Sequence, residues 1–307
     1  MSIADIKRRI AELKKEKKAI IMAHYYQNNE VQEIADYTGD SFGLSKQTAS
    51  TDAEVIVFCG VQFMAESAYI LSPQKDVLLP DPEAGCPLAD AITPQKLQSK
   101  KEDYPEAAVV CYVNSSAEIK AMSDICCTSS NALKVVNSLD EKQVLFVPDK
   151  NLANYVALNT DKEIIPWEGC CPIHDFLTAG DVERQRNLHP DSVITVHPEC
   201  PPEVLARADH VGSTADIIRY SRETASKKII VGTEKGTLYK LKQDNPEKEF
   251  YLLSADLVCQ TMKLVTLEKI KDALEKMQYK VTVPEKARKE AFKALDRMLQ
   301  VKMEKAS

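Results

Sequence analysis

Three of the nine cysteines in this 307-residue chain recur at nearly equal intervals. They are Cys86, Cys171 and Cys259, and the intervals between them are 85 and 88 residues. Thiolates are soft ligands that suit iron–sulfur clusters and zinc, and three of them gathered at one point would repel one another without a metal. The spacing therefore predicts that three equivalent segments of the chain each donate one cysteine to a shared metal site.

The number of cysteine ligands decides which chemistry such a site can support. Three cysteines can hold a 4Fe–4S cluster and leave one iron without a protein ligand, and such an iron can act as a Lewis acid toward a hydroxyl or a carboxylate. A proline follows Cys86 and Cys171, as it follows a ligand in some ferredoxin motifs. The pattern thus predicts dehydration or condensation rather than electron transfer. Zinc bound by the three cysteines and a water is the competing interpretation.

The other six cysteines fit structural roles better than ligand roles. Cys59 and Cys111 lie within or at the ends of apolar strands, where a free cysteine behaves as a small hydrophobic residue. Cys126–Cys127 is a vicinal pair near a turn, and Cys170 is one residue out of the repeat register. Cys200 is the strongest rival as a functional residue, because a proline follows it. We expect no disulfide framework, since the N-terminal segment lacks the apolar region of a signal peptide.

Polar side chains follow three apolar runs that begin at Ala19, Ala108 and Val193. A single histidine after a strand is more often structural than catalytic, but six polar groups at equivalent positions favour a functional site. Glu199 and the histidines are the candidates for proton transfer. The six residues are His24, Tyr26, Tyr112, Asn114, His197 and Glu199.

Serine and threonine residues occur where helices are expected to begin. Ser41, Ser129, Ser213 and Thr214 lie in the turns TGDS, CTSS and VGST. Such residues favour the N-cap position, and a helix N-terminus can also bind a phosphate or a carboxylate. His174 follows a predicted cysteine ligand by three residues, and we expect it to contact substrate rather than metal.

The intervals between these residues reflect an internal repeat. Each copy has an apolar strand, a turn with serine, a helical pattern, a second apolar strand, another helical pattern and a third strand. The second strands read EVIVFCG, QVLFVPD and KIIVGTE, and the third strands read KDVLLPD, KEIIPWE and KEFYLLS. This order indicates βαβ units with parallel sheets and helices on both faces. Ligands bind at the C-terminal ends of the strands in such sheets.

The repeat predicts an α/β protein built from three pseudo-equivalent, three-layer αβα domains with short parallel sheets. In the C-terminal tail, we expect a helix from about Pro284 that turns Phe292, Leu295 and Leu299 inward. The expected divisions are an N-terminal helix over 1–18, repeats over 19–104, 105–190 and 191–278, and a C-terminal helical tail over 279–307.

Composition limits the kind of partner that the protein can have. The net charge of −6 and the pI of about 5.6 argue against nucleic acid or an anionic membrane as a partner. The chain has no run of 18 apolar residues, so we expect no membrane-spanning helix. Without a signal-peptide pattern, we expect a cytoplasmic protein that acts on small molecules.

Eight short motifs resemble those of the quinolinate synthase family, the A protein of NAD biosynthesis. They occur in the family's order and spread over residues 19–263, so the resemblance is specific. The motifs are AHYYQ (23–27), GDSF (39–42), CYVNSS (111–116), TSSNA (128–132), PDKNLA (148–153), HPEC (197–200), GST (212–214) and VGTEKG (231–236).

The resemblance implies a triangular molecule in which three αβα domains surround a central 4Fe–4S cluster. It implies a transferase-type reaction in which iminoaspartate condenses with dihydroxyacetone phosphate to give quinolinate, with loss of phosphate and two waters. An enzyme that oxidises L-aspartate would supply the iminoaspartate. The predicted ligands Cys86, Cys171 and Cys259 coincide with the cluster ligands of the family.

The resemblance also implies that the polar residues form one substrate cavity. Tyr26, Tyr112, His197 and Glu199 are then the expected catalytic residues, with Glu199 or a histidine as the base and the tyrosines orienting substrate or moving protons. The expected cavity residues are His24, Tyr26, Ser41, Tyr112, Asn114, Ser129, His174, His197, Glu199, Ser213 and Thr214.

One departure from the family pattern and two other interpretations accompany this reading. Met262 stands where some members have a further cysteine after the third ligand, so we expect no redox disulfide there. The same architecture with zinc would suit a hydrolase or an aldolase. A three-domain redox or metal-storage module would bind a cluster but would need no ring of polar side chains.

Overall fold

Each of the three repeats forms a four-stranded parallel sheet with the same strand order. The computed structural model describes residues 2–301. The strands are β1 (Ala19–His24), β2 (Tyr37–Gly39), β3 (Val55–Cys59), β4 (Asp76–Leu78), β5 (Ala108–Tyr112), β6 (Ile125–Cys127), β7 (Gln143–Val147), β8 (Glu163–Pro166), β9 (Val193–Val196), β10 (His210–Val211), β11 (Lys228–Gly232) and β12 (Glu249–Leu252). The sheet orders are β2-β1-β3-β4, β6-β5-β7-β8 and β10-β9-β11-β12.

Helices connect the strands and cover the sheets, which confirms the predicted α/β class with three αβα units. None of the helices within residues 2–301 is long and apolar enough to cross a membrane. The helices are α1 (Ile3–Glu16), α2 (Asn29–Ile34), α3 (Ser41–Ser50), α4 (Gln62–Leu71), α5 (Pro94–Asp103), α6 (Ala117–Ala121), α7 (Ala132–Asn137), α8 (Lys150–Ala157), α9 (Pro172–Asp175), α10 (Ala179–Leu188), α11 (Pro202–Leu205), α12 (Thr214–Glu223), α13 (Thr237–Asp244), α14 (Leu267–Lys276) and α15 (Glu285–Gln300).

Each sheet contains one more strand than the three that the repeat predicts. The additional strands are the edge strands β2, β6 and β10, which have only two or three residues each. They lie in or directly before the segments read from sequence as serine turns. A strand of this length is too short to show an alternating or continuous apolar pattern, so the sequence does not reveal it.

An exposed aspartate binds the first strand of every repeat. One oxygen of Asp36, Asp124 and Asp209 accepts a backbone N–H of β1, β5 and β9 at 2.8, 2.7 and 2.8 Å, respectively. The three aspartates are 88 and 85 residues apart, which is the period of the repeat. This contact therefore belongs to the repeated unit, and it holds the start of the edge strand against the central strand.

A lysine side chain binds backbone carbonyls at the C-terminal end of one helix in each repeat. The ammonium groups of Lys75, Lys162 and Lys248 each donate to two backbone carbonyls at or just past the ends of α3, α7 and α12. These carbonyls are the groups that a helix leaves without internal partners, and a cation there also opposes the helix dipole. The lysines recur at 87 and 86 residues.

The N-terminal helix packs with a helix from the far end of the chain. Helices α1 and α14 contact each other and cover the first sheet with Ile6, Ile10, Leu13, Ile270 and Leu274. Helix α14 lies within the predicted third repeat (191–278), but its apolar face is buried on the first sheet. The chain thus returns to its first unit after completing the third.

The last described helix begins at Glu285, directly after Pro284 as predicted, and packs on α4, α6 and β6 of the first two units. Its buried stripe includes Leu295, as expected, while Leu299 is half-buried. The inward orientation predicted for Phe292 is wrong, because this ring is 38% exposed. Ala291 begins the buried stripe instead, one position earlier on the helix. Met1 and residues 302–307 of the predicted terminal segments lie outside the described range.

Replacement of Lys75 by Met tests the lysine closure. The side chain is 8% exposed, and its ammonium group donates to the carbonyls of Thr51 and Ala53. We expect the variant to lose about 1–3 kcal/mol of unfolding free energy in chemical denaturation, since two carbonyls lose a charged donor. The matched control is Lys15→Met on the exposed face of α1, which should unfold like the parent protein. Equal unfolding curves for both variants would contradict the proposed contribution of the lysine.

Candidate functional site

A cavity lies where the C-terminal ends of strands from all three sheets meet. The structure brings every predicted site residue to its lining except Ser213. The lining residues that the sequence predicted are His24, Tyr26, Ser41, Cys86, Tyr112, Asn114, Ser129, Cys171, His174, His197, Glu199, Thr214 and Cys259.

Strand ends place three pairs of polar side chains in this cavity. His24 is the last residue of β1, Tyr112 is the last residue of β5, and His197 directly follows β9. Tyr26, Asn114 and Glu199 each stand two residues further along the chain. In parallel sheets the carboxyl ends of the strands share one edge. The repeat therefore delivers equivalent positions to one place but fills them with different side chains.

The carboxylate of Glu199 is the centre of a buried hydrogen-bond network. Its Oε2 lies 2.8 Å from Nδ1 of His174 and 3.4 Å from Nδ1 of His197. Nε2 of His174 lies 3.0 Å from the hydroxyl of Thr233, and Nε2 of His197 lies 3.2 Å from the hydroxyl of Ser129. The two imidazole rings stack with their centroids 4.7 Å apart. Two histidines from different segments thus orient one carboxylate.

The hydrogen-bond partners assign the protons of the two rings. Nδ1 of His174 faces a carboxylate oxygen, so it carries a proton and donates it to Glu199. Nδ1 of His197 lies 3.3 Å from the backbone N–H of Glu199 and 3.4 Å from its carboxylate, so it accepts from the N–H when the ring is neutral and donates to the carboxylate when the ring is protonated. In either state the carboxylate keeps its hydrogen bond from His174.

Burial and neighbouring charges set the ionisation of this network. Burial lowers the pKa of His174, and burial together with the charge of His197 lowers the pKa of His24 to about 3. Burial acts to raise the pKa of Glu199, but His197 and His174 hold it well below its ordinary value. The second oxygen of Glu199, Oε1, is buried and has no hydrogen-bond partner among residues 2–301. A bound molecule can thus donate a proton or a hydrogen bond to it.

Two tyrosines add neutral hydroxyl groups to the cavity. The Tyr26 hydroxyl lies 3.0 Å from the hydroxyl of Thr214 and 2.7 Å from that of Thr233. Desolvation, followed by the charge of Glu199, raises the pKa of Tyr26 and of Tyr112 well above the ordinary value. Both phenols therefore remain protonated near neutral pH and can donate hydrogen bonds to a negatively charged oxygen.

The expectation that serines cap the helices holds only in the third repeat. Ser213 is the N-cap of α12 and forms a capping box, so its hydroxyl is engaged within the helix, and it is Thr214 that reaches the cavity. In the first repeat the N-cap is Asp40, and Ser41 is the first residue of α3. Helix α7 begins three residues after Ser129. Ser41 and Ser129 line the cavity without capping a helix. The side chain of Asp40 caps α3, whereas Asn131, the N-cap residue of α7, makes no side-chain cap hydrogen bond.

The three repeated cysteines are half-buried free thiols that face the same cavity. Desolvation raises the pKa of Cys86 to about 12, with smaller contributions that include Cys259, and desolvation also raises the pKa values of Cys171 and Cys259. The charge of Cys86 in turn acts on Cys171. The three thiols are therefore neighbours, and they would need a metal in order to ionise together.

Possible metal ligands lie close together in one part of the cavity. Cys171, His174 and Glu199 each offer a ligand atom, and these atoms all lie within 4.8 Å of one another. Nδ1 of His174 is 3.3 Å from Sγ of Cys171. Cys86 and Cys259 line the same cavity. Thiol donors suit both zinc and iron–sulfur clusters, so the three cysteines fit a metal site of either kind.

One backbone hydrogen bond pins the cysteine loop in every repeat. The carbonyls of Ala84, Gly169 and Leu257 each stand two residues before a predicted ligand, and each accepts an N–H from the start of α4 or α8 or from just before α13. The distances are 2.8, 2.7 and 2.9 Å. An added Cβ at Gly169 would lie 2.4 Å from the carbonyl oxygen of Pro148, so this close approach requires glycine.

Several residues of the site were not predicted from the sequence. Thr233 joins Tyr26 to His174 through its hydroxyl, and its position after β11 in the VGTEKG motif is the signal that could have indicated it. Asp40 and Thr128 lie in the serine turns of the first two repeats and also line the cavity. Met262, read only as the absence of a cysteine, lines it as well.

Comparison with known proteins places this site in a family. Residues 8–300 match the family model described as "Quinolinate synthetase A protein". The chain is 54% identical over 303 residues to Quinolinate synthase 1 of Methanosarcina acetivorans, covering 99% of this chain and 100% of that protein. It is 54% identical over 301 residues to Quinolinate synthase of Geobacter metallireducens, covering 98% and 99%. It is 53% identical over 294 residues to Quinolinate synthase of Alkaliphilus metalliredigens, covering 95% and 97%.

Substitution of Thr233 tests the link between the tyrosine and the histidine. Thr233→Val keeps the shape but leaves Nε2 of His174 unpaired in a buried place, so we expect a loss of about 1–3 kcal/mol in unfolding free energy. Thr233→Ser retains the hydroxyl and should recover most of this difference. Denaturant titration of the two variants and the parent measures it. If valine and serine behaved alike, the hydroxyl would have no role in holding the network.

Proposed function

Because this chain belongs to the quinolinate synthase family, enzymes of NAD biosynthesis, we propose that it condenses iminoaspartate with dihydroxyacetone phosphate. The product is quinolinate, and the reaction releases phosphate and two waters. The observation that carries the proposal is the cavity itself, which is lined by three thiols from three repeats and by a buried carboxylate with one oxygen unpaired among the described residues. Such a site offers both a metal centre and a base to a small polar substrate.

The proposed cofactor is a 4Fe–4S cluster held by Cys86, Cys171 and Cys259. All three thiols line the cavity, and each repeat supplies one of them at the equivalent loop. When bound, the cluster supplies a Lewis-acidic iron without a protein ligand, which assists the loss of a hydroxyl group.

Glu199 is the proposed base. Its Oε2 lies beside His174 and His197, while Oε1 is buried and unpaired among the described residues, so Oε1 is the oxygen that accepts a proton from C3 of iminoaspartate. The histidines keep the carboxylate ionised in a place where burial alone would protonate it. Loss of that proton gives the enamine whose C3 is the carbon nucleophile, and this carbon forms the new bond to the triose phosphate.

Hydroxyl and amide groups around the cavity orient the substrates. Tyr26 and Tyr112 are protonated phenols that donate hydrogen bonds to developing negative charge. The amide oxygen of Asn114 is buried without a hydrogen-bond partner among the described residues, so it is available to a substrate N–H or O–H. Ser41 and Thr214 stand in the first turns of α3 and α12, where helix N–H groups favour a phosphate or a carboxylate.

The chemistry of the substrates implies a supplier. Iminoaspartate is the product expected when an enzyme oxidises the amine of L-aspartate, and we propose such an enzyme as the source. We further propose a cytoplasmic location, since all nine cysteines are free thiols, as in a reducing compartment.

The cofactor proposal is tested by anaerobic purification followed by iron and acid-labile sulfide analysis. We expect about four irons and four sulfides per chain, because three cysteines suit a 4Fe–4S cluster. Cys86→Ala, Cys171→Ala and Cys259→Ala should each lose the brown chromophore. The buried thiols give matched controls, and Cys59→Ala and Cys126→Ala should retain it.

Two results would overturn this assignment. Zinc without sulfide would favour a hydrolase or aldolase on the same architecture. If Cys200→Ala lost the brown chromophore and Cys259→Ala kept it, the repeat would have identified the wrong cysteine as the third ligand.

The base is tested by Glu199→Gln in an assay that follows quinolinate from the two substrates. We expect kcat to fall by at least about 100-fold, since a positioned general base contributes roughly 10²–10⁴. The cluster content should be unchanged, because Glu199 is not a proposed ligand. Glu203→Gln on the exposed face of α11 is the matched control and should turn over normally. If Glu199→Gln kept the kcat of the parent enzyme, Glu199 would not be the base, and a histidine would have to fill that role.

A further inference from the structure

Two acidic side chains that the proposed reaction does not use lie behind two of the cysteine loops. Asp149 is fully buried, and it follows β7 at the start of α8. Its Oδ1 accepts the N–H of Leu152 at 2.7 Å, which caps the helix. Its Oδ2 accepts the backbone N–H of Cys171 at 3.1 Å. One carboxylate therefore joins a rigid helix start to a cysteine that is 22 residues away in sequence.

Glu234 repeats this arrangement in the third unit. It is also fully buried, and it stands 85 residues after Asp149, at the equivalent place after β11. Its Oε2 accepts the N–H of Gly236 at 2.6 Å, and its Oε1 accepts the backbone N–H of Cys259 at 3.2 Å. The ammonium group of Lys263 lies 2.9 Å from Oε1 and supplies the opposite charge.

The first repeat has no acid at this place. The two residues after β3 are Gly60 and Val61, and Val61 is the N-cap residue of α4, the position that Asp149 occupies at the start of α8. Cys86 therefore lacks the carboxylate that stands behind Cys171 and Cys259. All three repeats share one backbone arrangement, but a carboxylate accepts the backbone N–H of the cysteine in only two of them.

We propose that Asp149 and Glu234 are positioning residues for the metal cluster, each fixing the backbone of its cysteine so that the thiolate points into the cavity. The inference rests on the proposed cluster and goes beyond it, because neither acid is a ligand or reaches the cavity lining. Burying a carboxylate is costly unless its oxygens are hydrogen-bonded. In each of these acids, one oxygen accepts a backbone N–H near the start of a helix, and the other accepts the backbone N–H of a cysteine.

The use of both oxygens explains why the residue is an acid and not an amide. Asparagine and glutamine have one acceptor oxygen, and their NH₂ group would face a second N–H donor. Asp149→Asn can still cap α8 through its oxygen, since asparagine is a good N-cap, but it then turns its NH₂ toward the N–H of Cys171. The substitution is therefore a nearly isosteric way to remove the support of the cysteine.

The test compares Asp149→Asn and Glu234→Gln with the parent holoenzyme, prepared anaerobically. Iron release to a chelator is followed by absorbance, and the reduced cluster is examined by electron paramagnetic resonance. We expect release to be about tenfold faster or more in both variants, because outer-shell partners typically contribute 10- to 100-fold to metal affinity. The resonance spectrum should shift as well, which a general loss of stability would not cause.

Asp209→Asn is the matched control. It makes the same acid-to-amide change at an exposed carboxylate of the third repeat, where the amide oxygen can still accept the strand N–H that Oδ2 accepts at 2.8 Å, so iron release and the resonance spectrum should equal those of the parent. Should Asp149→Asn fail to fold, Glu234→Gln in a different repeat carries the test alone. Parent-like release and spectra in the folded variants would overturn the inference while leaving the cluster in place. A parent protein without iron and sulfide would instead refute the cofactor on which the inference depends.

Discussion

The three cysteines can share one cavity only if three loops, 85 and 88 residues apart in sequence, end in the same position relative to their sheets. The backbone hydrogen bond that joins each loop to the segment after the second central strand meets this requirement. It involves no side chain, so it survives the low identity between the repeats. The aspartates that accept an N–H from each first strand and the lysines that donate to carbonyls at the helix ends stabilise the same repeated arrangement of strands and helices.

The second constraint is the burial of charge. Glu199 is 3% exposed, and a carboxylate in such a place is costly unless donors surround it. His174 and His197 supply those donors to one oxygen and leave the other unpaired. Neutral phenols, hydroxyls and an amide add polarity around the rest of the cavity. Asp40 is a second acid in the lining, but its oxygens accept hydrogen bonds from the N–H of Gly43 and the hydroxyl of Ser130. The site therefore leaves one carboxylate oxygen of Glu199 unpaired among the described residues, in the same cavity as three thiols.

The sequence predicted the repeated frame because strands, turns and cysteines recur at one period, and equivalent positions in parallel sheets must meet at one edge. It did not predict β2, β6 and β10, which are too short to show a pattern. The apolar stripes of α14 and α15 are visible in the sequence, but a stripe does not say which sheet it will cover. The serine caps failed in two repeats for different reasons: Asp40 caps α3 instead of Ser41, and the N-cap Asn131 of α7 turns its side-chain oxygen to Thr128 rather than to the helix.

Asp149 and Glu234 show most clearly where sequence reasoning ends. In the motifs PDKNLA and VGTEKG each looks like an ordinary acid at a helix start, and its second partner is a backbone N–H more than twenty residues away. Only the folded chain shows that one oxygen reaches the cysteine loop.

The three repeats share one backbone arrangement, so the chemical character of the site comes from the side chains that differ between them. The strand ends hold histidine and tyrosine, tyrosine and asparagine, or histidine and glutamate, and the first cysteine loop alone lacks an acid behind it. A repeated backbone with different side chains in each repeat thus brings three equivalent thiols and three unlike pairs of polar side chains to one cavity.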